Sequence, residues 1–313
     1  MKTPRALFLT ACVVTFGAFA QEGARPASAP KSEDDETRII LDVTRVNILF
    51  TVSDKKGRFV TDLLRDDFQV YEDKKQQKIL EFAAESDLPL RLGILVDTSN
   101  SIRDRFRFQQ EAAIEFLNSV LRPGQDKAVV VSFDTTAEMV TDLVDDMEAL
   151  SASIRKLRPG GGTSLYDAIY YTCHDKLQKD QPRHKFRRAM VVLSDGQDTQ
   201  SRMTRDQALE MAQKADVVIY TISTNISRAQ TDGDKVLNYL SDETGGQTFF
   251  PFKVQDLAQS FENIANELRH QYNLFYRPEP LRTDGSYQEV EIKVRDRKNM
   301  VVRARKGYYA PRL

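Results

Sequence analysis

The chain has 313 residues, 41% hydrophobic and 29% charged, so it has material for a core and is neither collagenous nor a disordered tail. Lys+Arg 45 against Asp+Glu 46 leave a formal charge of −1, which excludes a bulk electrostatic pull onto nucleic acid or acidic lipid. Three histidines and two cysteines argue against a zinc cluster or a disulfide scaffold.

Residues 1–20 (MKTPRALFLTACVVTFGAFA) read as a signal peptide. Lys2 and Arg5 precede an apolar run, and Ala18-Phe19-Ala20 supplies the small-x-small cleavage pattern. The run is too short to span a bilayer of about 30 Å, and no other stretch approaches twenty apolar residues, so no transmembrane segment is expected in the mature chain. Leu9-Thr10-Ala11-Cys12 resembles a lipobox, but the short run before Cys12 and the apolar residues after it make lipid anchoring the minor alternative. The expected location is secreted or periplasmic. Cleavage leaves Cys173 alone, so the core must hold the fold without a disulfide.

Residues 21–37 are polar, rich in Pro, Ala and acid, and aperiodic, as in a disordered linker. Residues 38–87 form the first part of a β domain. Ile39, Leu41, Val43 and then Val46, Ile48, Phe50, Val52 alternate with polar neighbours. After the turn at residues 53–57, Phe59-Val60 restarts a strand, and Phe68-Val70-Tyr71 opens a hairpin returning through Ile79–Phe82. Residues 88–270 change period. The strand-like runs Leu92–Val96, Ala128–Phe133, Ala189–Leu193 and Val217–Ile222 are separated by helical faces. One face carries Ala113, Phe116, Leu117 and Val120, and another Leu165, Ala168, Ile169, Thr172 and Cys173. The cleanest stripe is Val254, Leu257, Ala258, Phe261, Ile264, Ala265 and Leu268. Apolar strands between amphipathic helices predict a doubly wound, mostly parallel sheet covered on both faces. In residues 271–313 the period returns to two, with Tyr272, Leu274, Tyr276, then Val290, Ile292, Val294 and Val301-Val302 flanking the turn Asp296-Arg297-Lys298-Asn299. The economical arrangement is an α/β domain inserted into one small β-sandwich-like domain built from both flanks.

Three segments carry the chemistry. LGILVDTSNS places Asp97, Ser99 and Ser101 just past an apolar strand, where ligand sites of open α/β sheets collect. Pro159-Gly160-Gly161-Gly162-Thr163-Ser164 allows a tight backbone that brings Thr163 to the same edge. MVVLSDG ends a further buried strand in Asp195. Two carboxylates and three hydroxyls, without imidazole or thiolate, suit a hard cation, and Mg²⁺ or Mn²⁺ better than a multi-carboxylate calcium cage. A cation whose charge is poorly neutralised seeks one more anion, which an Asp or Glu of a protein partner can supply.

D-x-S-x-S at a strand end, a glycine-preceded Thr and a later S-D-G strand end together resemble the metal-ion-dependent adhesion site of von Willebrand factor type A domains. The resemblance covers about residues 88–270 and fills all five motif positions. It implies Ser99, Ser101 and Thr163 as direct ligands, with Asp97 and Asp195 acting mainly through water. The flanks, VSDKKGRFVTDLLRDDFQVYEDKKQQKI and RARKGYYAP, are similar to secreted bacterial proteins with this domain. The implied function is non-enzymatic, metal-dependent binding of a protein partner; the alternative is an envelope structural or assembly factor with an idle metal site. Phosphatase chemistry is disfavoured because Ser99 stands where a second aspartate would be needed. His174, His184 and His270 are expected at the surface, Cys173 in the core, and residues 183–188 (RHKFRR) as an exposed basic loop.

Overall fold

The computed structural model describes residues 45–84, 87–100, 106–225, 227, 229–295, 297 and 299–312, apart from the side chains of Arg183, Val254 and Gln255. The signal peptide with Cys12, the polar segment 21–37, Ile39, Leu41, Val43, Ser101, Asp296 and Lys298 lie outside the described residues. In chain order come β1 (Val46–Asp54), β2 (Phe68–Glu72), β3 (Lys75–Gln77), β4 (Ile79–Ala83), β5 (Leu90–Asp97), α1 (Phe106–Val120), β6 (Lys127–Phe133) and β7 (Ala137–Val144). There follow α2 (Met147–Lys156), α3 (Leu165–Thr172), β8 (Arg187–Ser194), α4 (Arg205–Lys214), β9 (Val217–Ser223), α5 (Asp232–Thr244), β10 (Thr248–Phe249) and α6 (Val254–Arg269). The chain ends with β11 (Tyr272–Tyr276), β12 (Tyr287–Val294), β13 (Met300–Ala304) and β14 (Gly307–Tyr309).

The middle of the chain builds a six-stranded sheet of order β10-β9-β8-β5-β6-β7, parallel except for β7. Every residue of β5, β8 and β9 is buried, which explains why their sequences are near-continuous apolar runs. One face packs against α1, α2 and α6, with Phe116 and Phe261 meeting at 4.9 Å between ring centroids. The other packs against α3, α4 and α5, with Cys173 in that core. Helix starts are set by side chains: Asp146 accepts from the amides of Glu148 and Ala149, and Thr204 from that of Gln207. The predicted stripe of α6 holds at Leu257, Phe261, Ile264, Ala265 and Leu268, whereas Ala258 is exposed.

The flanks form two four-stranded antiparallel sheets, β13-β1-β11-β4 and β14-β12-β2-β3, which share one apolar core. β1, before the α/β block, pairs with β11 after it, and β2 pairs likewise with β12. The two sheets are also joined by a buried carboxylate: Tyr276 and Tyr308 both donate to Glu72 Oε2, at 2.6 and 3.0 Å. The described residues belong to one compact unit. Within it Thr51 donates to Glu267 of α6 (3.0 Å), and Arg305 reaches both Asp216 and the carbonyl of Asn47.

Several expectations need correction. Phe59-Val60 forms only an isolated bridge, Ser53 to Phe59. β2 turns back through β3, while Ile79–Phe82 leaves as part of β4 and pairs with β11 in the other sheet. β7 was not predicted; its residues are mostly half-buried at the sheet edge, so its apolar pattern is weak. The basic run is not wholly a loop, because Arg187 and Arg188 open β8 and are buried. Their planar donors are met by carbonyls, Arg187 by those of Leu88 and Leu268 and Arg188 by those of Leu177 and Asp180.

Candidate functional site

β5 and β8 are neighbours whose onward connections run opposite ways, β5 to β6 on one side and β8 to β9 on the other. Their carboxyl ends therefore frame a topological switch point, where loops part and leave a crevice. Asp97 ends β5 and Ser194 ends β8, with Asp195 next.

Asp97 is fully buried. The Ser194 hydroxyl donates to its Oδ2 (2.7 Å) and the Ser99 amide to its Oδ1 (2.8 Å). Burial pushes its carboxyl up to about 6; the hydrogen bonds from Ser194 and from the Ser99 amide and hydroxyl pull the other way, and the nearby charge of Asp195 adds to the rise. None of these influences is a positive charge. Ser194 Oγ also accepts from the Gly196 amide (3.1 Å), so one hydroxyl ties the β5 end to the loop carrying Asp195.

The glycine loop joins from the other side. The Gly160 amide donates to the Thr98 carbonyl (2.6 Å), and the Asn100 side-chain amide to the Gly161 carbonyl (3.2 Å). Gly161 sits at φ +77°, the left-handed conformation that favours glycine, and a Cβ there would press on the Thr135 side chain, 2.7 Å from its Oγ1. Thr163 is buried; its amide donates to Thr199 Oγ1 (3.1 Å), and its carbonyl accepts from the amides of Thr199 and Gln200. Asp97, Ser99, the Thr163 loop and the Asp195 loop are thus linked into one hydrogen-bonded edge. Ser101 lies outside the described residues.

Two side chains not singled out in the sequence stand here as well. Ser194 is the direct partner of Asp97; its signal was the serine before Asp195, uninformative until β8 was known to neighbour β5. Ser164 is fully buried at the start of α3 with no hydrogen-bond partner for Oγ. Hydroxyls and carboxylates around a buried acid fit a hard divalent cation in donor chemistry. Among the described residues no three His, Cys, Asp or Glu side chains cluster as a metal cage, so any cation here would depend on hydroxyl ligands.

Over residues 92–267 the chain matches the family model of the von Willebrand factor type A domain. Among solved structures it is similar to a von Willebrand factor type A protein from Catenulispora acidiphila, at TM-score 0.51 and 12% identity, covering 86% of this chain and 74% of that one. It is also similar to proximal thread matrix protein 1 from the mussel byssus, solved with zinc in its MIDAS motif, at TM-score 0.50 and 16% identity over 62% of this chain and 48% of that one. The PilB minor pilin of Streptococcus sanguinis follows at TM-score 0.48 and 15% identity, over 59% of this chain. This chain spans 62% of PilB's length. Comparison with curated proteins gave no match.

Proposed function

From the chain's membership of the von Willebrand factor type A domain family, we propose that it is a non-enzymatic binding protein that grips a carboxylate of a protein partner through a divalent cation. The observation that carries this reading is Asp97, a buried acid at the switch point, tied to Ser194 and Ser99 and beside Asp195.

Ser99 and Thr163 would hold the cation through hydroxyls, with Ser101 completing the motif, while Asp97 and Asp195 supply negative charge. Mg²⁺ or Mn²⁺ suits such a set of small hard oxygens. When bound, the ion supplies an electrophilic centre that takes an Asp or Glu oxygen from the partner. Asp97 orients Ser99 through the 2.8 Å bond to its amide, and Ser194 keeps the Asp195 loop against the β5 end. The glycine loop holds Thr163 without side-chain bulk of its own. Binding needs no bond broken. Residues 1–20 would direct export, placing the site outside the cytoplasm.

Titration calorimetry of the full chain with MgCl2 tests the reading. The parent should bind saturably and Asp97→Ala should not, while far-ultraviolet circular dichroism in EDTA stays that of the parent. Unaltered Mg²⁺ affinity in the variant refutes the site. A crosslinking pull-down from native envelope material should lose its partner in EDTA; undiminished capture there favours a structural or assembly role for the fold instead.

A further inference from the structure

We propose that the first turn of α5, through Gly233, positions the Asp195 carboxylate, making Gly233 and Asp234 positioning residues of the site. The proposal rests on the cation reading above and extends it to a helix that supplies none of the ligands.

The contact is backbone against backbone. Gly196, at φ +78°, faces Gly233 so closely that a Cβ on it would lie 2.2 Å from the Gly233 carbonyl oxygen. A Cβ on Gly233 would lie 2.1 Å from the Asp195 carbonyl oxygen. Each glycine occupies the space the other's side chain would need, and no flexible side chain is present to give way. The Asp195 turn can reach its place only if helix α5 starts where it does.

That start is fastened to the sheet. Asp234 is buried; its Oδ1 accepts from the Ser223 hydroxyl at the end of β9 (2.6 Å), and its Oδ2 from the Asn225 side-chain amide (2.9 Å) and from the amide of Thr231 (2.8 Å). Thr231 caps the helix in return, accepting from the Asp234 amide (3.1 Å). Ser223 pairs with Ser194, and the Thr224 amide donates to the Ser194 carbonyl (3.0 Å). A chain of contacts thus runs from the β8 and β9 ends through Asp234 to Gly233 and back to Asp195. Supporting groups of this kind typically change metal affinity by about 10–100-fold when altered.

The test compares full-length Gly233→Ala with Gly245→Ala. Gly245, at the far end of the same helix, makes a comparable approach: a Cβ there would lie 2.5 Å from the Arg305 amide nitrogen. Both variants should melt earlier in EDTA. Only Gly233→Ala should lose Mg²⁺ affinity, by about tenfold or more, in calorimetry corrected for the folded fraction. Equal affinity losses in the two, or a Gly233→Ala affinity within twofold of the parent, overturn the proposal. If Gly233→Ala does not fold, Asp234→Asn, which loosens the turn without steric conflict, should lower the affinity, and parental affinity in it counts against the proposal. A readout independent of metal separates this proposal from the cation reading: in EDTA, amide resonances of residues 194–197 should shift in the altered protein. Unmoved resonances overturn the positioning role even where Mg²⁺ binding by the parent is sound, and shifted resonances in a parent that binds no Mg²⁺ uphold the positioning while the cation reading fails.

Discussion

Replacing Asp97 by asparagine should stabilise the metal-free protein at pH 8. Burial raises the Asp97 carboxyl from 3.8 to about 6, despite hydrogen bonds from Ser194 and Ser99. At about 1.36 kcal/mol per unit, carrying the charge above that value costs the fold about 3 kcal/mol. Asparagine keeps the shape but cannot accept from both Ser194 and the Ser99 amide, and losing one such bond costs about 1 kcal/mol. The net gain is about 2 kcal/mol, a shift in melting temperature on the order of 4 °C. The sign follows from linkage. The folded-state value lies above the unfolded one, so the folded parent binds the extra proton between about pH 4 and pH 6, and its stability falls as pH rises through that window and then levels. The variant lacks this slope, so its advantage should be complete above about pH 6 and turn into a deficit of about 1 kcal/mol below about pH 4, where only the lost hydrogen bond remains. Urea unfolding in EDTA across this range measures it. Adding Mg²⁺ at about 100 times the dissociation constant should give the parent about 2.7 kcal/mol and the variant nothing, removing the variant's lead. An Asp97→Asn variant no more stable than the parent in EDTA at pH 8 would refute the idea that the site holds an uncompensated charge.

Phe116→Ala should cost about 3–5 kcal/mol in denaturant unfolding, because the ring is buried against Phe261 and cannot be replaced by local collapse. Gly245→Ala combines φ +85° with a backbone clash at β13, and should destabilise by more than about 1 kcal/mol in thermal melts without changing the far-ultraviolet spectrum. Cys173 is fully buried and its thiol is pushed well up by desolvation, so it should resist a disulfide reagent in the native state and react at the rate of unfolding. Rapid native labelling would contradict the placement of this side chain.

The alternating periods along the chain made both architectures legible. Strands buried on both faces read as unbroken apolar runs, as in residues 189–193, while the β flanks show period two because one face meets solvent. Arg187 and Arg188 show where that reading stops. An arginine is charged wherever it stands in a sequence, and its burial here depends on carbonyls at Leu88, Leu177, Asp180 and Leu268 that come together only in three dimensions. The partner of β4 was hidden for a similar reason, since β11 lies nearly two hundred residues away and competes with the local hairpin.

At the candidate site, sequence alone pointed to Asp97, Ser99, Ser101, Thr163 and Asp195 as oxygen ligands at loop or strand ends, because residue type and local pattern are properties of single segments. Tertiary structure decided that β5 neighbours β8, that Ser194 therefore bonds Asp97, and that Gly233 sits against Asp195. Strand order and backbone approach are relations between distant segments, set by how the helices cover the sheet, and no local pattern encodes them.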